Sequence, residues 1–314
     1  MKILAVYPSL TLPLIRRVRA PFSVLAERGY AFHFLQADSF RGGLSHAYDV
    51  TVLSDWVLSD SEDFSSFQEA LAHGRAIVCD LSDGRLLASK RMQEQLALAS
   101  LVTVSTERLK KEVQNLVGTT KVVTLPSCVD VPYFASANRT PMPDRTRVGC
   151  FGPGDWRAVA PIIKAFHQKH PRYRFLGEPQ VAEAMNAENG VEIVVPVDLH
   201  PENYPVVLHA CSFGLLAPPL AQEPWGQDPI WQWEYGILAR PTISLISPTT
   251  REGGGEGEHV NVHAHVKRIE HVSGDPDARV RAGQQAFGEA YLHRATVIAD
   301  QYGRLYRKQF AHLF

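Results

Sequence analysis

The sequence predicts an α/β protein of two similar domains, each a parallel sheet covered by helices on both faces. Three observations carry that prediction. Short, continuous apolar runs alternate with segments of helical period along most of the chain. A polar, proline-bearing stretch interrupts the alternation near the middle, after which it restarts. The length, 314 residues, is about twice the commonest domain size.

In order, Lys2 to Tyr7 reads as a buried strand and Ile15 to Arg28 as a helix. Ala31 to Gln36 and Val50 to Leu53 are strands, and Ser66 to His73 is a helix closed by Gly74. Ala76 to Asp80 is a strand, Ser89 to Leu98 a helix and Leu101 to Val104 a strand. Glu107 to Leu116 is a helix capped by Gly118, and Lys121 to Leu125 a strand. The stretch from Ala135 to Asp144 has the small, polar composition of a linker, which bounds a first domain at residues 1–137. The second domain, 145–290, runs Val148 to Phe151 strand, Ala158 to Lys169 helix, Tyr173 to Leu176 strand, Ala182 to Asn186 helix and Val191 to Val195 strand. It continues with Tyr204 to Ala210 helix, Phe213 to Ala217 strand, Pro229 to Leu238 helix and Thr242 to Ile246 strand. From Asp275 to Phe314 the pattern is helical, with Val280, Phe287, Tyr291, Ile298, Tyr302 and Tyr306 as its apolar anchors. Its last part, 291–314, is expected to pack back on the first domain.

Hydrophobic residues at 45% and charged residues at 21% are ordinary for a chain with a sizeable core, and exclude a disordered class. A formal net charge of -1 sets up no global positive field for nucleic acid or membranes, while leaving room for a local basic patch. The four cysteines, Cys79, Cys128, Cys150 and Cys211, are scattered through apolar runs and read as buried, reduced thiols. The opening apolar run is too short for a signal segment and no 18-residue apolar stretch occurs, so a cytoplasmic location is expected.

The chemistry concentrates between Glu223 and Ser244, which run from a loop through a helix into a strand. Loops at the carboxyl ends of parallel strands are where such sheets bind ligands. Gly226 permits close backbone approach, and the helix start near Asp228 and Pro229 offers free N–H groups to a diphosphate. Glu234, one to two turns into that helix, can accept ribose hydroxyls, and Glu223 before the loop can hold sugar hydroxyls.

This segment resembles the Glu-Pro-Phe-Gly...Glu-Ala...Gly-Xaa-Pro string of retaining GT-B glycosyltransferases of family four. Glu223-Pro224-Trp225-Gly226 matches its front and Glu234-Tyr235...Pro241 its back, with Ala239 standing where that family prefers Gly. The family separates its two Glu by seven residues; ten intervene here, so both roles together require three inserted loop residues. The resemblance implies a GT-B fold, two facing Rossmann-like domains with a C-terminal helix crossing back. It also implies Glu223 on the donor sugar, as a catalytic candidate, and Glu234 on the ribose, with Tyr235 beside it.

Other segments follow in the family's order. Ala99 to Thr106, then Val123 to Asp130 with Phe134, looks like the end of its first domain. Arg147 to Arg157 resembles the start of its second, where Gly152 and Gly154 form the tight turn and Arg157 is the candidate phosphate ligand, with Lys164 second. Phe175-Leu176-Gly177-Glu178 and Val195-Pro196 resemble the strand ends around the nucleotide base, where backbone contacts such as those of Gly177 are expected.

In the first domain, Arg16-Arg17-Val18-Arg19-Ala20-Pro21 is similar to the Arg-Xaa-Xaa-Pro opening of some bacteriophage-encoded GT-B enzymes; such an origin would place the protein in the host cytoplasm. The family's paired glycines are replaced there by Ser9-Leu10-Thr11. Arg16, Arg19, Asp80 and Asp83 are the acceptor candidates, the alternative readings being solvated arginines and turn-capping aspartates. His259, Asn261, His263 and His265 would share one face of a strand and offer a metal geometry. The resemblance implies no metal, and the neighbouring Gly253 to Glu258 reads as a surface loop. Trp156, Trp225, Trp231 and Trp233 gather near the proposed cleft, for stacking or for core packing.

The resulting expectation is a retaining, metal-independent glycosyltransferase that needs no cofactor and uses a nucleotide-sugar, UDP-glucose by base rate. Its acceptor is a hydroxymethylated DNA base, or a lipid, polysaccharide or small metabolite. A sugar-nucleotide epimerase on the same fold and a non-catalytic nucleotide-binding module are the alternatives.

Overall fold

The computed structural model describes residues 1–7, 12, 15–36, 39, 42–54, 68, 71–72, 76–118, 121–135, 144–190, 192–218, 229–245 and 262–313. The chain divides into two compact units. One comprises Met1–Asp130 with His293–Phe314; the other comprises Val131–Gln222 and Pro229–Leu292.

The first unit holds a six-stranded parallel sheet of β1 (Lys2–Tyr7), β2 (Ala31–Gln36), β3 (Val50–Ser54), β4 (Ile77–Leu81), β5 (Leu101–Val104) and β6 (Val122–Thr124), in the order β2-β1-β3-β4-β5-β6. Successive strand residues point to opposite faces, so each apolar run feeds two cores. Ile3, Ala5, Val50, Val52 and Val78 face one core. It is closed by Phe22 and Leu25 of α1 (Ala20–Glu27) and by Ile298, Ala299, Tyr302 and Tyr306 of α11 (Ala295–Gln309). Leu4, Val6, Leu53, Ile77, Cys79 and Val102 face the other, under α2 (Lys90–Leu98) and α3 (Glu107–Val117). Ser89 and Thr106 start those two helices, each accepting a hydrogen bond from the third residue beyond it, Met92 and Leu109. The predicted helix from Ile15 is split, a π-helical turn Ile15–Arg19 preceding α1, which carries Pro21 in its first turn.

The second unit begins with the short helix α4 (Val131–Ala135) and holds a five-stranded parallel sheet. Its strands are β7 (Arg147–Cys150), β8 (Arg174–Gly177), β9 (Val194–Pro196), β10 (Phe213–Leu216) and β11 (Thr242–Ser244), ordered β11-β10-β7-β8-β9. The helices α5 (Trp156–Lys169), α6 (Pro179–Asn189), α7 (Tyr204–Ala210), α8 (Ile230–Ile237), α9 (Val262–Gly274) and α10 (Pro276–Tyr291) complete it. Trp156, Val159, Ile163 and Phe166 of α5, Val181 and Met185 of α6, and Val266 and Ile269 of α9 bury one face of the sheet.

Two expectations are corrected here. Residues 262–274 form a helix, so His263 and His265 lie about 200° apart around it and share no face. His259 and Asn261 lie outside the described residues, as does Gly253 to Glu258. In the tail, Ile298, Tyr302 and Tyr306 are buried, but Val280, Phe287 and Tyr291 are exposed at 57%, 41% and 43%. The buried side of α10 is instead Ala278, Gly283 and Ala290. The reason is close approach: a Cβ on Gly283 would stand 2.3 Å from the Ala239 carbonyl oxygen, and one on Gly236 2.5 Å from that of Ala286. Backbones of α8 and α10 meet where small residues allow it, and the large side chains are displaced outward.

Candidate functional site

Both candidate regions lie at the carboxyl edges of the sheets. In the second unit the strand order reverses between β7 and β10, the position at which an open parallel sheet offers a crevice. The turn leaving β7 occupies that point. Gly152 has φ +97° and Gly154 φ +152°, backbone conformations that other residues rarely take. Space makes the same demand, since a Cβ on Gly152 would come within 2.9 Å of the Trp231 ring and one on Gly154 within 2.8 Å of the Ala217 Cβ.

Hydrogen bonds pin the turn from three sides. The Trp156 indole N–H donates to the Gly152 carbonyl at 2.8 Å, and the Asp155 amide donates to the Pro218 carbonyl at the end of β10 at 2.8 Å. The Gly152 amide donates to Glu178 Oε2 at 3.2 Å. Asp155 then caps α5 by accepting from the Ala158 amide at 3.0 Å, and Arg157 stands exposed on the first helical turn. The Gly152-Pro153-Gly154 turn, the start of α5 and the exposed Arg157 guanidinium lie together, an arrangement that could hold a phosphate. Lys164 lies farther along α5 and is part-buried.

Glu234 on α8 is 1% exposed, and the Tyr204 hydroxyl donates to its Oε2 at 2.5 Å. A carboxylate taken out of water requires such a donor. Tyr204 opens α7, and its ring meets Trp231 edge-on at 5.6 Å and Phe134 at 5.9 Å. Trp231 therefore spans from Tyr204 to Gly152, joining the carboxylate to the glycine turn. Trp156 and Trp233 are buried. Trp225, Glu223 and Gly226 lie outside the described residues.

Tyr235 is placed differently from its predicted role on the donor. It is wholly buried, its ring lying over Gly149 and Gly214, which are paired in register across β7 and β10. A Cβ on Gly214 would be 2.6 Å from that ring. Burial pushes the phenol well above its ordinary pKa, and the hydroxyl has no hydrogen-bond partner among the described residues. Gly177 is likewise a packing position: a Cβ there would meet Val194 at 2.9 Å, while its carbonyl accepts from the Val197 amide at 2.7 Å. The four cysteines are free and buried, burial raising the Cys211 thiol to about 12.

In the first unit, Asp80 at the end of β4 is 3% exposed. Arg17 donates to it twice, Nε to Oδ2 at 2.8 Å and Nη2 to Oδ1 at 2.6 Å, and to the Leu125 carbonyl at 2.7 Å. Thr103 Oγ1 donates to Oδ1 at 2.5 Å, and the Tyr302 hydroxyl donates to the Arg17 carbonyl at 3.1 Å. Asp80, predicted to meet an acceptor hydroxyl, is thereby committed to a buried network tying β4, β5, the residue after β6 and α11 to the π-helical turn. Arg16 is also buried, while Arg19 is exposed. Asp83 caps the turn after β4, accepting from the Arg85 amide at 2.9 Å and pairing with its guanidinium. Ser9-Leu10-Thr11 lies outside the described residues. Among the described residues no three His, Cys, Asp or Glu side chains group to hold a metal, and no helix is long and apolar enough to cross a membrane.

The side chains of Glu178 and Tyr204 are additions to the residues expected from the sequence. Glu178 carried a signal, an acidic residue directly after the second strand of a glycine-turn unit. Tyr204 carried none, since its partner is 30 positions away.

No family model matches the sequence, and no curated protein matches it. Solved structures do. An alpha-glucosyltransferase in complex with UDP and a 13-mer DNA containing an HMU base is similar at a TM-score of 0.71 and 11% identity, over 98% of this chain and 99% of that one. An alpha-glucosyltransferase with UDP-glucose and DNA containing an abasic site is similar at 0.67 and 12%, over 97% and 99%. A UDP-GlcNAc 2-epimerase from Neisseria meningitidis bound to UDP-GlcNAc is similar at 0.57 and 10%, over 98% and 100%. The two parallel-sheet α/β units are those of the GT-B fold, which the glycosyltransferases among these neighbours share.

Proposed function

We propose that the chain is a glycosyltransferase that moves a sugar from a nucleoside diphosphate sugar to an acceptor hydroxyl. The observation that supports this most directly is the joined constellation at the β7/β10 crevice. There a glycine turn and helix start bearing Arg157 stand beside buried Glu234, whose carboxylate Tyr204 holds. That combination suits a diphosphate at the turn and sugar or ribose hydroxyls at the carboxylate. Glu223 and Gly226, from the adjoining loop, are proposed to complete the donor contacts. Similarity to folds solved with UDP, UDP-glucose and DNA favours a UDP-sugar donor and a hydroxymethylated DNA base as the first acceptor to test.

In the reaction the acceptor oxygen bonds to the anomeric carbon as the bond to the diphosphate breaks. Arg157 and the α5 N-terminus stabilise the charge gathering on the departing phosphate. Attack from the same face, the acceptor proton passing to the leaving phosphate oxygen, retains configuration without a protein nucleophile or a metal.

The test is a panel of UDP- and GDP-sugars incubated with and without hydroxymethylated DNA, with EDTA in a parallel series, reading diphosphate release and DNA mass. Release that requires the DNA and survives EDTA supports the reading. Epimerised donor formed without an acceptor supports the alternative reading, favoured by the 2-epimerase similarity. Absence of a thermal shift with every nucleoside diphosphate refutes both.

A further inference from the structure

We propose that Glu178 is a ligand of the donor's ribose, accepting the 2′-hydroxyl; this rests on the nucleotide-sugar reading above and adds a residue to it. Glu178 follows Gly177, the last residue of β8, and β8 lies beside β7 with Gly177 paired to Cys150. Its backbone is extended, at φ -60° and ψ 154°, and it occupies the cap position of α6. An N-cap side chain ordinarily turns inward to its own helix amides. Glu178 makes no such bond, and its Oε2 instead accepts from the amide of Gly152, 26 positions upstream on the neighbouring turn.

That placement has a chemical meaning. In a β-turn-α-β unit the end of the second strand lies next to the glycine turn that receives phosphate. A carboxylate there reaches the sugar one bond system away from the phosphate, and this is where ribose hydroxyls are held in nucleotide-binding sheets. β7, the Gly152–Gly154 turn, α5 and β8 form such a unit, and Glu178 stands at its end. Glu178 is part-exposed, so a ligand can reach it. A carboxylate offers about four lone-pair sites, so the Gly152 bond fixes its direction and leaves acceptor capacity. Glu234 differs: it is 1% exposed and Tyr204 already holds its Oε2. Of these two carboxylates Glu178 is the more exposed, and it sits beside the glycine turn; Asp155, also part-exposed there, is turned to its own helix by the Ala158 amide.

The experiment compares binding of UDP and 2′-deoxy-UDP by calorimetry to the full chain, to Glu178→Gln, to Glu178→Ala and to Glu234→Gln. GDP and ADP with their 2′-deoxy forms run alongside. The wild-type chain is expected to prefer the ribonucleotide by roughly tenfold or more, the effect of a hydrogen bond to a charged group. Both Glu178 variants are expected to lose that preference to within about twofold while melting within about 2 °C of wild type without ligand. Retention of the preference in the Glu178 variants overturns the assignment, as does a wild-type chain that binds UDP and its 2′-deoxy form equally. Loss of preference in Glu234→Gln alone moves the ribose to Glu234 and leaves the proposed function standing. Failure of all three nucleotides to bind wild type overturns that function together with this inference.

Discussion

Replacing Asp80 with Asn separates a structural ion pair from an acceptor contact. Arg17 and Asp80 are 2% and 3% exposed and joined by two hydrogen bonds, with Thr103 donating to the same carboxylate. Asn keeps one acceptor oxygen and the shape, but places a neutral amide against a guanidinium buried away from water. Breaking a buried pair from one side costs about 3–5 kcal/mol. Because one acceptor survives, the lower end applies, about 3 kcal/mol. For a unit of this size that corresponds to a fall in melting temperature of roughly 10 °C. The assay is thermal and urea unfolding followed by circular dichroism, on wild type, Asp80→Asn and the double variant Arg17→Met with Asp80→Leu. The double variant removes both charges and is expected to recover most of the loss, to within about 2 kcal/mol of wild type. An Asp80→Asn protein that melts within about 1 °C of wild type yet fails to glycosylate would refute the argument and return Asp80 to the acceptor site.

Ala239 follows α8 in the left-handed region at φ 53°, with the Ala239 and Arg240 amides closing the helix end on the carbonyls of Gly236 and Tyr235. Ala239→Gly relieves about 1–2 kcal/mol of strain against about 0.5–1 of added chain entropy, so urea melts should show a net gain near 0.5–1 kcal/mol. On α10, Gly288→Ala meets nothing within 4 Å and should stabilise by roughly 0.5–1 kcal/mol. Gly283→Ala sets a methyl 2.3 Å from the Ala239 carbonyl oxygen and should cost more than about 2 kcal/mol in the same melts. Tyr235→Phe removes a buried hydroxyl that has no partner among the described residues, so stability should hold or rise by up to about 1 kcal/mol and nucleotide affinity should stay unchanged. Arg157→Ala should lower the transfer rate by about a hundredfold in steady-state assays, with the melting temperature unmoved because the side chain is exposed.

The fold was legible because parallel sheets buried on both faces need continuous apolar strands, and runs such as Lys2–Tyr7 and Leu101–Val104 admit no other reading in alternation with helices. In residues 262–274 the alternating histidines suggest a strand, but Val262, Val266, Ile269 and Ser273 carry the helical stripe that packing follows. The exposed Phe287 and Tyr291 show a different limit. Size and hydrophobicity favoured them as anchors, yet Gly283, Ala286 and Gly236 bring the backbones of α8 and α10 too close for a large side chain between them.

At the site, the positions that could be read locally are those defined by a missing side chain. Gly152 and Gly154 are demanded by their own backbone angles, which a short turn between a strand and a helix already implies. Charged positions are defined by partners, and the partners are remote: Arg17 finds Asp80 across 63 positions, Tyr204 finds Glu234 across 30, and Gly152 finds Glu178 across 26. A buried or half-buried charge is stable only where such a partner exists. The partner therefore decides what the residue does. Arg17 commits Asp80 to a buried ion pair, and Tyr204 fixes one oxygen of Glu234. Glu178 is held by a backbone amide at the glycine turn rather than by a side chain in the core, and it stays part-exposed there.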